Sequence, residues 1–365
     1  MASPGPAFAS AGSDRFASLG ARGALALLVA LCGLIFLGLW TGATPPHAKG
    51  GPPSNDSAVF FRILDDLRQG EGYYPAAIRE LRVAGYPMRP FLTVRLPTLA
   101  LAMAALPDPA LRRGLAGGLA LVTLAAWLWR LRASMARPIG FSVMVVVMVF
   151  ALMPAPVGDD YTFHELWSGE LMALSVAIYT PRHWVASFVL GCLALSIREL
   201  AAPFFLAMGV LAWRDGRRAE AGAWGLGLLL FFGALALHAA AVQPRLIADD
   251  PPSAGWLGLV GWPFLLLQTK WNFLLMTASD WVPAVVLPLA LFGLIAQRGI
   301  WQDRLALVVI GYTLAFLVVG RADNSYWGLL LTPLWPIGLV ATGPALIGLV
   351  GKLRRVLVTA APGAR

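Results

Sequence analysis

Charged residues are scarce in this sequence. Asp, Glu, Lys and Arg together make up 13% of the 365 residues, whereas an ordinary soluble domain carries about 25%. Apolar residues make up 58%, and the mean hydropathy is +0.71. Several uninterrupted apolar segments approach the roughly 20 residues that a helix needs to cross a bilayer. These features exclude a soluble globular chain and predict an integral membrane protein.

Cysteine and lysine are also rare. The two cysteines, Cys32 and Cys192, lie inside apolar runs, so they supply neither a disulfide framework nor a zinc ligand set. The formal net charge is +9, with 25 Arg against 3 Lys. A basic excess can indicate a nucleic-acid partner, but membrane proteins place basic residues asymmetrically for topological reasons. We therefore expect no nucleic-acid partner, and the preference for Arg is typical of a GC-rich bacterial genome.

The apolar runs predict an all-α, polytopic membrane bundle of about ten transmembrane helices. Twelve runs are present, and two of them are expected not to span. The runs are residues 24–43, 91–107, 112–129, 139–156, 166–180, 183–197, 200–213, 221–241, 256–277, 283–297, 305–320 and 327–350.

The two runs predicted to lie outside the membrane are 91–107 and 256–277, because the basic clusters then fall on one side. Two of the remaining runs, 166–180 and 200–213, are short for a hydrocarbon core of about 30 Å. The stretch 183–213 is either two helices or one long helix interrupted at its central Arg-Glu pair. We favour two, because the flanking arginines then face the cytoplasm.

The distribution of charge supports this topology. With both termini in the cytoplasm, the cytoplasmic side carries 15 Lys and Arg against 4 acids, and the opposite side carries 13 against 15. An excess of basic residues in the cytoplasm is the rule for membrane proteins. We therefore expect a multi-pass protein of a bacterial inner (plasma) membrane with a retained first helix. The predicted segments are a cytoplasmic tail 1–23, a first transmembrane module 24–241 with extracytoplasmic loop 44–111, further transmembrane helices 242–350 with extracytoplasmic loop 243–282, and a basic cytoplasmic tail 351–365.

Ionisable residues gather on the predicted extracytoplasmic face. The stretch GDDYTFHELWSGEL, residues 158–171, lies between two apolar runs, and others lie in the first outer loop, at 197–199 and in GRADNSYWG, residues 320–328. Charged residues at the ends of membrane helices are costly and usually mark a site or a pathway. The sequence therefore predicts an extracytoplasmic active site. Its candidate residues are Asp56, Asp159, Asp160, His164, Glu165, Arg198, Glu199, Lys270, Arg321 and Asn324.

Several candidates have a purely structural alternative. Asp56 could cap an amphipathic surface helix. Asp159 and Asp160 could sit at a helix start where the dipole favours them, and Arg198 could form a structural ion pair with Glu199. Three tryptophans could either stack on a sugar or lie at the membrane interface: Trp167, Trp271 and Trp327.

The motifs of the outer loops resemble those of a known superfamily. The first loop opens with D-x-x-V-F at 56–60, continues with L-x-x-G-x-x-Y-Y at 67–74, and reaches a surface helix that opens with RPFLTVRLPTLA at 89–100. Together with the acids of the second outer loop, this pattern resembles the polyprenyl-phosphate-sugar-dependent membrane glycosyltransferases of the C superfamily (GT-C), especially the bacterial mannosyltransferase-like branch. Departures are Phe60, where an aromatic hydroxyl is common, and HELW in place of a Gly-Gln pair.

The resemblance implies a GT-C-like fold over most of the chain and an inverting sugar transfer. Asp56 is then the expected catalytic base, and Asp159 or Asp160 would bind a divalent cation (Mg²⁺ or Mn²⁺) or the donor phosphate. The implied partners are a polyprenyl-phosphate-sugar donor carrying a mannose-like or other hexose, a lipid or glycan acceptor, and the membrane. Candidate phosphate contacts are Arg198, Lys270 and Arg321.

A competing class is a lipid-linked-sugar flippase or transporter, which uses intramembrane charges to move a headgroup or protons. That class predicts charges near the bilayer midplane and broken helices in paired halves, and the sequence contains no internal repeat. A non-catalytic subunit of a polysaccharide assembly system is the third possibility. The collection of charges at one face favours the enzyme.

Overall fold

The computed structural model describes residues 13–42, 56–136 and 138–360. Parts of both predicted tails and the beginning of the first outer loop therefore lie outside the described residues. Helices and their connecting segments make up the described chain, with one short antiparallel pair, Ser13–Asp14 with Gln297–Arg298, and two isolated bridges, so the predicted all-α class is confirmed. The helices are α1 Ala21–Thr41, α2 Asp56–Arg68, α3 Tyr73–Val83, α4 Pro97–Ala104, α5 Pro109–Leu131, α6 Pro138–Leu152, α7 His164–Ile178, α8 Trp184–Ile197, α9 Ala202–Arg214, α10 Arg218–Val242, α11 Gly261–Thr269, α12 Phe273–Met276, α13 Trp281–Ala296, α14 Ile300–Phe316 and α15 Leu339–Ala360.

Four helical stretches are long and apolar enough to cross a membrane. They are Ala21–Thr41, Pro109–Met135, Arg218–Arg245 and Trp335–Val356. This supports a multi-pass membrane protein, but the predicted number of ten spans is wrong. The other apolar runs do form helices, yet these contain too few residues; α8 has 14, a length of about 21 Å at 1.5 Å per residue.

Interruptions by polar residues explain why the remaining helices are short. Between α8 and α9 the backbone at Arg198 is extended (φ −143°, ψ 120°), and a 3₁₀ turn follows at Glu199–Ala201. Arg217, just beyond α9, donates to the carbonyl of Pro181, just before α8. The start of α8 and the end of α9 therefore lie together, and 183–213 forms two antiparallel helices, as predicted.

Local sequence also determines where the longer helices begin. The first turn of α5 has Pro109 at its first position, where no backbone donor is needed. Asp108 precedes it, and its carboxylate accepts from the backbone N–H of Ala110 at 2.7 Å. A short polar side chain at this position satisfies one of the donors that every helix start leaves unpaired.

The segment that was predicted to be the first outer loop contains amphipathic helices, as predicted. On α2 one face is buried, and the spacing of its residues follows the helical period; they are Val59, Phe60, Ile63 and Leu64. Ion pairs on the other faces join α2 to α3: Arg62 to Glu80 at 2.6 Å and Arg79 to Asp66 at 2.6 Å. The runs 91–107 and 256–277, predicted not to span, contain only the short helices α4, α11 and α12.

Helix α7 is the centre of the bundle. Every residue from His164 to Ala177 is buried, and the helix packs against α5, α8 and the turn Ala322–Leu330. The contact with that turn depends on Gly169, because a Cβ at this position would lie 2.3 Å from the Leu329 carbonyl oxygen. The helix thus connects two polar ends of the molecule, one at His164 and the other at Ile178.

Candidate active site

A cavity of about 400 Å³ opens at the end where α7 begins. Its walls come from α2 and α3, the segment before α4, the junction of α8 and α9, and two loops near 253–256 and 319–327. Residues far apart in sequence therefore meet at one place. Seven of the predicted site residues line it: Asp56, His164, Glu165, Arg198, Glu199, Arg321 and Asn324.

Asp56 is the first residue of α2 and lies half-buried in the cavity wall. The hydroxyl of Tyr86 donates to its Oδ1 atom. The next residue, Ser57, is hydrogen-bonded through its Oγ to the hydroxyl of Thr162 at 2.9 Å, and Thr162 donates to the Asp159 carbonyl at 2.8 Å. The chain segments that begin at Asp56 and at Asp159 are thereby joined beside Asp56.

A buried ion cluster forms the floor of the cavity. Glu165 Oε1 lies 2.6 Å from Arg198 Nε, and the two side chains are 1% and 2% exposed. Their contact is an ion pair without hydrogen-bond alignment, since neither atom has a well-oriented partner among the described residues. Arg198 also pairs with Glu199. Two carboxylates therefore pair with the Arg198 guanidinium. Because this side chain is buried, it is poorly placed to contact a ligand directly.

Arg95 is a cavity residue that the sequence-based prediction did not include. Its side chain is 29% exposed, and it lies 3.9 Å from Glu165, beyond hydrogen-bond distance. Its Nη2 donates to the hydroxyl of Tyr326 at 2.8 Å, and its backbone carbonyl accepts from the Tyr73 hydroxyl at 2.7 Å. The signal was the second of two arginines, Arg89 and Arg95, in the otherwise mainly apolar segment RPFLTVRLPTLA. Arg95 is thus a well-held cation that forms no hydrogen bond with a carboxylate of the described chain.

Arg321 is the third guanidinium of the cavity and is paired on its exposed side. Its Nε and Nη2 donate to the two carboxylate oxygens of Asp323, at 3.0 and 2.7 Å, and its Nη1 donates to Ser253 Oγ at 3.1 Å. The neighbouring Asn324 is buried, and its Oδ1 has no hydrogen-bond partner among the described residues. The turn thus offers the cavity one partly screened cation and one unpaired amide oxygen.

His164 lies at the start of α7 with its ring edge-on to Phe60, at 5.7 Å between centroids. Burial, and then the nearby Arg95 and Arg198, hold the pKa of His164 well below its usual range. The imidazole is therefore neutral. Its Nε2 atom has no hydrogen-bond partner among the described residues, so it can donate to or accept from a ligand hydroxyl, depending on the tautomer.

Three predicted site residues do not line the cavity. Lys270 pairs instead with Asp280 at 2.5 Å. Asp159 is exposed and Asp160 half-buried; burial, and then the Asp159 carboxylate, raise the pKa of Asp160 to about 6.

Within residues 13–42, 56–136 and 138–360 no group of three His, Cys, Asp or Glu side chains could hold a metal ion. In the described chain the two predicted metal ligands therefore have no third His, Cys, Asp or Glu side chain beside them.

The three candidate tryptophans have different positions. Trp167 is buried, and its indole N–H donates to the Tyr161 carbonyl at 2.7 Å. Trp271 packs edge-on against Phe163 at 5.2 Å. Only Trp327 of the three lines the cavity, where it is joined by Trp256 and Tyr326. These rings give the cavity apolar surface beside its charges, a combination that suits sugar rings with polar and apolar faces.

Comparisons of the chain with protein-family models, with curated proteins and with solved structures give no match.

Proposed function

We propose that this protein transfers a sugar, a mannose-like or other hexose, from a polyprenyl-phosphate donor to a lipid or glycan acceptor. The observation that carries the proposal is the cavity. It combines a carboxylate, Asp56, with two partly accessible guanidiniums, Arg95 and Arg321, at one end of an apolar helical bundle. A base and a phosphate-binding cation in one space are what such a transfer requires. The resemblance of the loop motifs to GT-C enzymes supports the same reaction.

The reaction needs no oxidant or cofactor for its electron balance. Asp56 removes the proton of an acceptor hydroxyl, and the oxygen forms a bond to the anomeric carbon of the sugar. The bond between that carbon and the phosphate oxygen breaks, and its electron pair leaves with the lipid phosphate. Arg95 and Arg321 stabilise the negative charge that develops on the phosphate. The ion cluster of Glu165, Arg198 and Glu199 fixes the floor against which the sugar lies.

The size of the cavity suits a headgroup rather than a whole lipid. A volume of about 400 Å³ lies in the range of about 300–1,000 Å³ that is usual for small-molecule sites. The sugar and phosphate would occupy it, with Asn324, His164 and the rings of Trp256 and Tyr326 contacting sugar hydroxyls and faces. The polyprenyl chain would remain in the bilayer. The divalent cation implied by the resemblance stays a prediction, and no step here depends on it.

Asp56→Asn tests the proposal. The amide keeps the size of the side chain and its helix-capping ability but cannot take up the proton, so transfer should fall by about 10²- to 10⁴-fold, the usual contribution of a general base. The matched control is Asp65→Asn on the same helix, whose carboxylate is largely exposed and, among the described residues, paired with Arg68 alone at 3.5 Å. Purified proteins are compared for transfer from polyprenyl-phosphate sugars, and their thermal unfolding is followed in parallel.

The outcomes separate the three functional classes. Near-wild-type transfer by Asp56→Asn would remove Asp56 from the reaction. A wild-type protein that transfers no sugar but moves labelled lipid between leaflets would identify a flippase. Absence of both activities in the isolated protein, with activity restored by other envelope proteins, would identify a subunit of an assembly system.

The proposed location is a bacterial inner membrane, with the cavity at the extracytoplasmic face and both termini in the cytoplasm. Single cysteines in a background without Cys32 and Cys192 test this orientation. Ala84 is exposed on the cavity end and Ala133 on the opposite end. We expect a membrane-impermeant thiol reagent to label Ala84→Cys but not Ala133→Cys in intact cells. The reverse pattern would move the cavity to the cytoplasmic face and exclude an extracytoplasmic reaction.

A further inference from the structure

The hydroxyl of Tyr86 touches the one carboxylate to which the proposed reaction gives a proton. Tyr86 lies half-buried in the cavity wall, and its Oη donates to Asp56 Oδ1. No Lys, Arg or His among the described residues forms an ion pair with Asp56. The orientation of this carboxylate within the cavity is therefore tied to a neutral hydroxyl donor.

The contact is not needed to hold α2 and α3 together. These helices are already joined by the ion pairs Arg62–Glu80 and Arg79–Asp66, both at 2.6 Å. Their apolar faces share one core, which includes Ile63 and Leu64 of α2 and Ile78 of α3. Loss of the hydrogen bond between Tyr86 and Asp56 therefore changes this packing little. What the Tyr86 hydroxyl chiefly affects is the orientation of the Asp56 carboxylate.

Tyr86 itself is held on a well-determined segment. Gly85 takes φ +73°, a left-handed conformation that ends α3 and that residues with a Cβ atom disfavour. The N–H of Tyr86 then donates to the Leu81 carbonyl at 3.0 Å. Two residues later, Met88 N–H donates to the Pro251 carbonyl at 2.8 Å. The chain is therefore fixed on both sides of Tyr86, and its hydroxyl has little freedom to leave Asp56.

We propose that Tyr86 is a positioning residue for Asp56. Its hydroxyl occupies Oδ1 and leaves Oδ2 as the oxygen that takes the acceptor proton. This inference rests on the proposed sugar transfer and adds a second residue to it. A donor to one carboxylate oxygen fixes the plane of the group, and correct alignment of reacting groups accounts for a large part of enzymatic rate.

The hydroxyl remains a donor under assay conditions. Burial, and then the hydrogen bond to Asp56, raise the pKa of Tyr86 above its usual value. It therefore stays protonated through neutral and mildly alkaline pH, and it cannot compete with Asp56 as the base.

Tyr86→Phe tests the inference by removing only the hydroxyl. We expect kcat to fall about tenfold. This is less than the about 10²- to 10⁴-fold contribution of a general base, because Asp56 itself is still present. The donor KM should stay within about twofold, because the lost contact acts on the transition state rather than on binding. The matched control is Tyr74→Phe, which removes a hydroxyl that contacts His238 Nδ1 at 3.2 Å outside the cavity. Both variants should remain folded, with unfolding temperatures within a few degrees of wild type, and Tyr74→Phe should keep the wild-type kcat.

The double variant distinguishes positioning from a general structural role. If Tyr86 acts through Asp56, then Asp56→Asn with Tyr86→Phe is no slower than Asp56→Asn alone. Independent effects that multiply in the double variant, or a Tyr86→Phe that raises KM and leaves kcat unchanged, would overturn the inference.

Failure of the proposed function has a different signature. If wild-type protein transfers no sugar from any donor, four proteins are compared by thermal unfolding: wild type, Asp56→Asn, Tyr86→Phe and the double variant. Coupling between the two substitutions would then retain Tyr86 as the residue that orients Asp56 and would reject only the transfer. Additive effects on unfolding would overturn the positioning role itself.

Discussion

The two polar ends of the helical bundle both contain buried ions, and the ions at one end line the cavity of the candidate site. At the cavity end, Glu165 and Arg198 form an ion pair under a cavity of about 400 Å³. At the opposite end, Arg304 is 0% exposed and lies 3.0 Å from Asp215 and 3.7 Å from Glu220, which is 1% exposed. The chemistry of the side chains is similar, and the difference is whether a ligand could reach them.

The opposite end consists of contacts between chain segments. The Tyr179 hydroxyl, just after α7, donates to Glu220 at 2.9 Å, and the Arg304 guanidinium stacks over the Tyr179 ring at 4.1 Å. Asp303 accepts from Arg15 of the N-terminal segment at 2.5 Å and from Arg214 of α9 at 2.9 Å. Each carboxylate is thus used to join helices that end there.

A buried ion pair is therefore weak evidence for a functional site. Such a pair can fix how helices meet, whether or not it adds net stability. The cavity end differs because Asp56 and Arg95 line a cavity; Asp56 has no ion-pair partner among the described residues, and Arg95 lies 3.9 Å from Glu165. Open space next to incompletely paired charge is the feature that separates a candidate site from a structural junction.

The largest expected effect is at the closed end. Arg304→Met removes the buried guanidinium that Asp215 and Glu220 share; since Asp215 keeps Arg214 and Glu220 keeps Arg217, the cost lies below the about 3–5 kcal/mol of a buried charge left without any partner. We expect a marked loss of thermal stability and of folded yield in detergent. Sugar transfer per folded molecule should stay at the wild-type level, because this residue lies at the other end from the cavity. A variant that folds normally but loses transfer would show that the closed end takes part in function.

At the open end, Arg95→Gln should affect binding rather than folding. A hydrogen bond to a charged group contributes about 1.5–3 kcal/mol, so we expect affinity for a polyprenyl phosphate to fall by about 10- to 100-fold. Binding is measured against the matching neutral polyprenol, whose affinity should not change. The control is Arg62→Gln on α2, which pairs with Glu80 and does not line the cavity. Equal losses for both lipids would point to a packing defect.

A smaller effect is expected from Asp323→Asn. The Asp323 carboxylate is 64% exposed and holds Arg321 at 2.7 Å, and an exposed pair of this kind is worth only about 0–1 kcal/mol. Removal of its charge frees Arg321 for a phosphate, so affinity for the lipid phosphate should rise by up to about fivefold. A fall in affinity would instead indicate that Asp323 binds the donor directly.

The smallest effect concerns the rim of the cavity end and depends on pH. Since the pKa of Asp160 is raised to about 6, the folded protein favours the neutral acid. The stabilisation is present below the ordinary pKa near 3.8 and is lost as pH rises through about 6. Asp160→Asn should therefore unfold a few degrees higher than wild type at pH 7.5 and at nearly the same temperature at pH 4. Stabilisation of wild type alone by added Mg²⁺ would support the predicted cation site.

Much of the fold follows from local sequence. The apolar runs predict where helices lie, and Arg198 predicts the break between α8 and α9 because a charged residue there interrupts an apolar segment. The number of spans could not be predicted in the same way. An apolar run such as 166–180 has the composition of a membrane helix, but whether it is long enough depends on where the chain turns, and α7 ends after 15 residues.

The candidate site was only partly predictable. Acids and arginines at helix ends pointed to Asp56, Glu165 and Arg321 because charge is costly there. The same reasoning included Lys270, which pairs with Asp280 within its own loop, since a sequence does not show which charges already have partners. It omitted Arg95, because one arginine in an apolar surface segment carries no periodic signal, and its role depends on a cavity that only tertiary packing creates.

The unequal helix lengths have a consequence for the surrounding lipid. Exposed apolar residues line the outside of α8 and α9, among them Val189 and Leu206, and also the outside of α10, among them Leu229. With 14 and 25 residues, α8 and α10 are about 21 and 37 Å long, so the hydrophobic belt of the protein varies in height around its perimeter. A bilayer thins beside a short belt, and we expect lipid headgroups there to sit lower, close to the level of Arg198. The rate of sugar transfer should therefore depend on the acyl-chain length of the host membrane and be highest in thin bilayers. Reconstitution in lipids of graded chain length measures this dependence, and a rate independent of chain length would contradict the expectation.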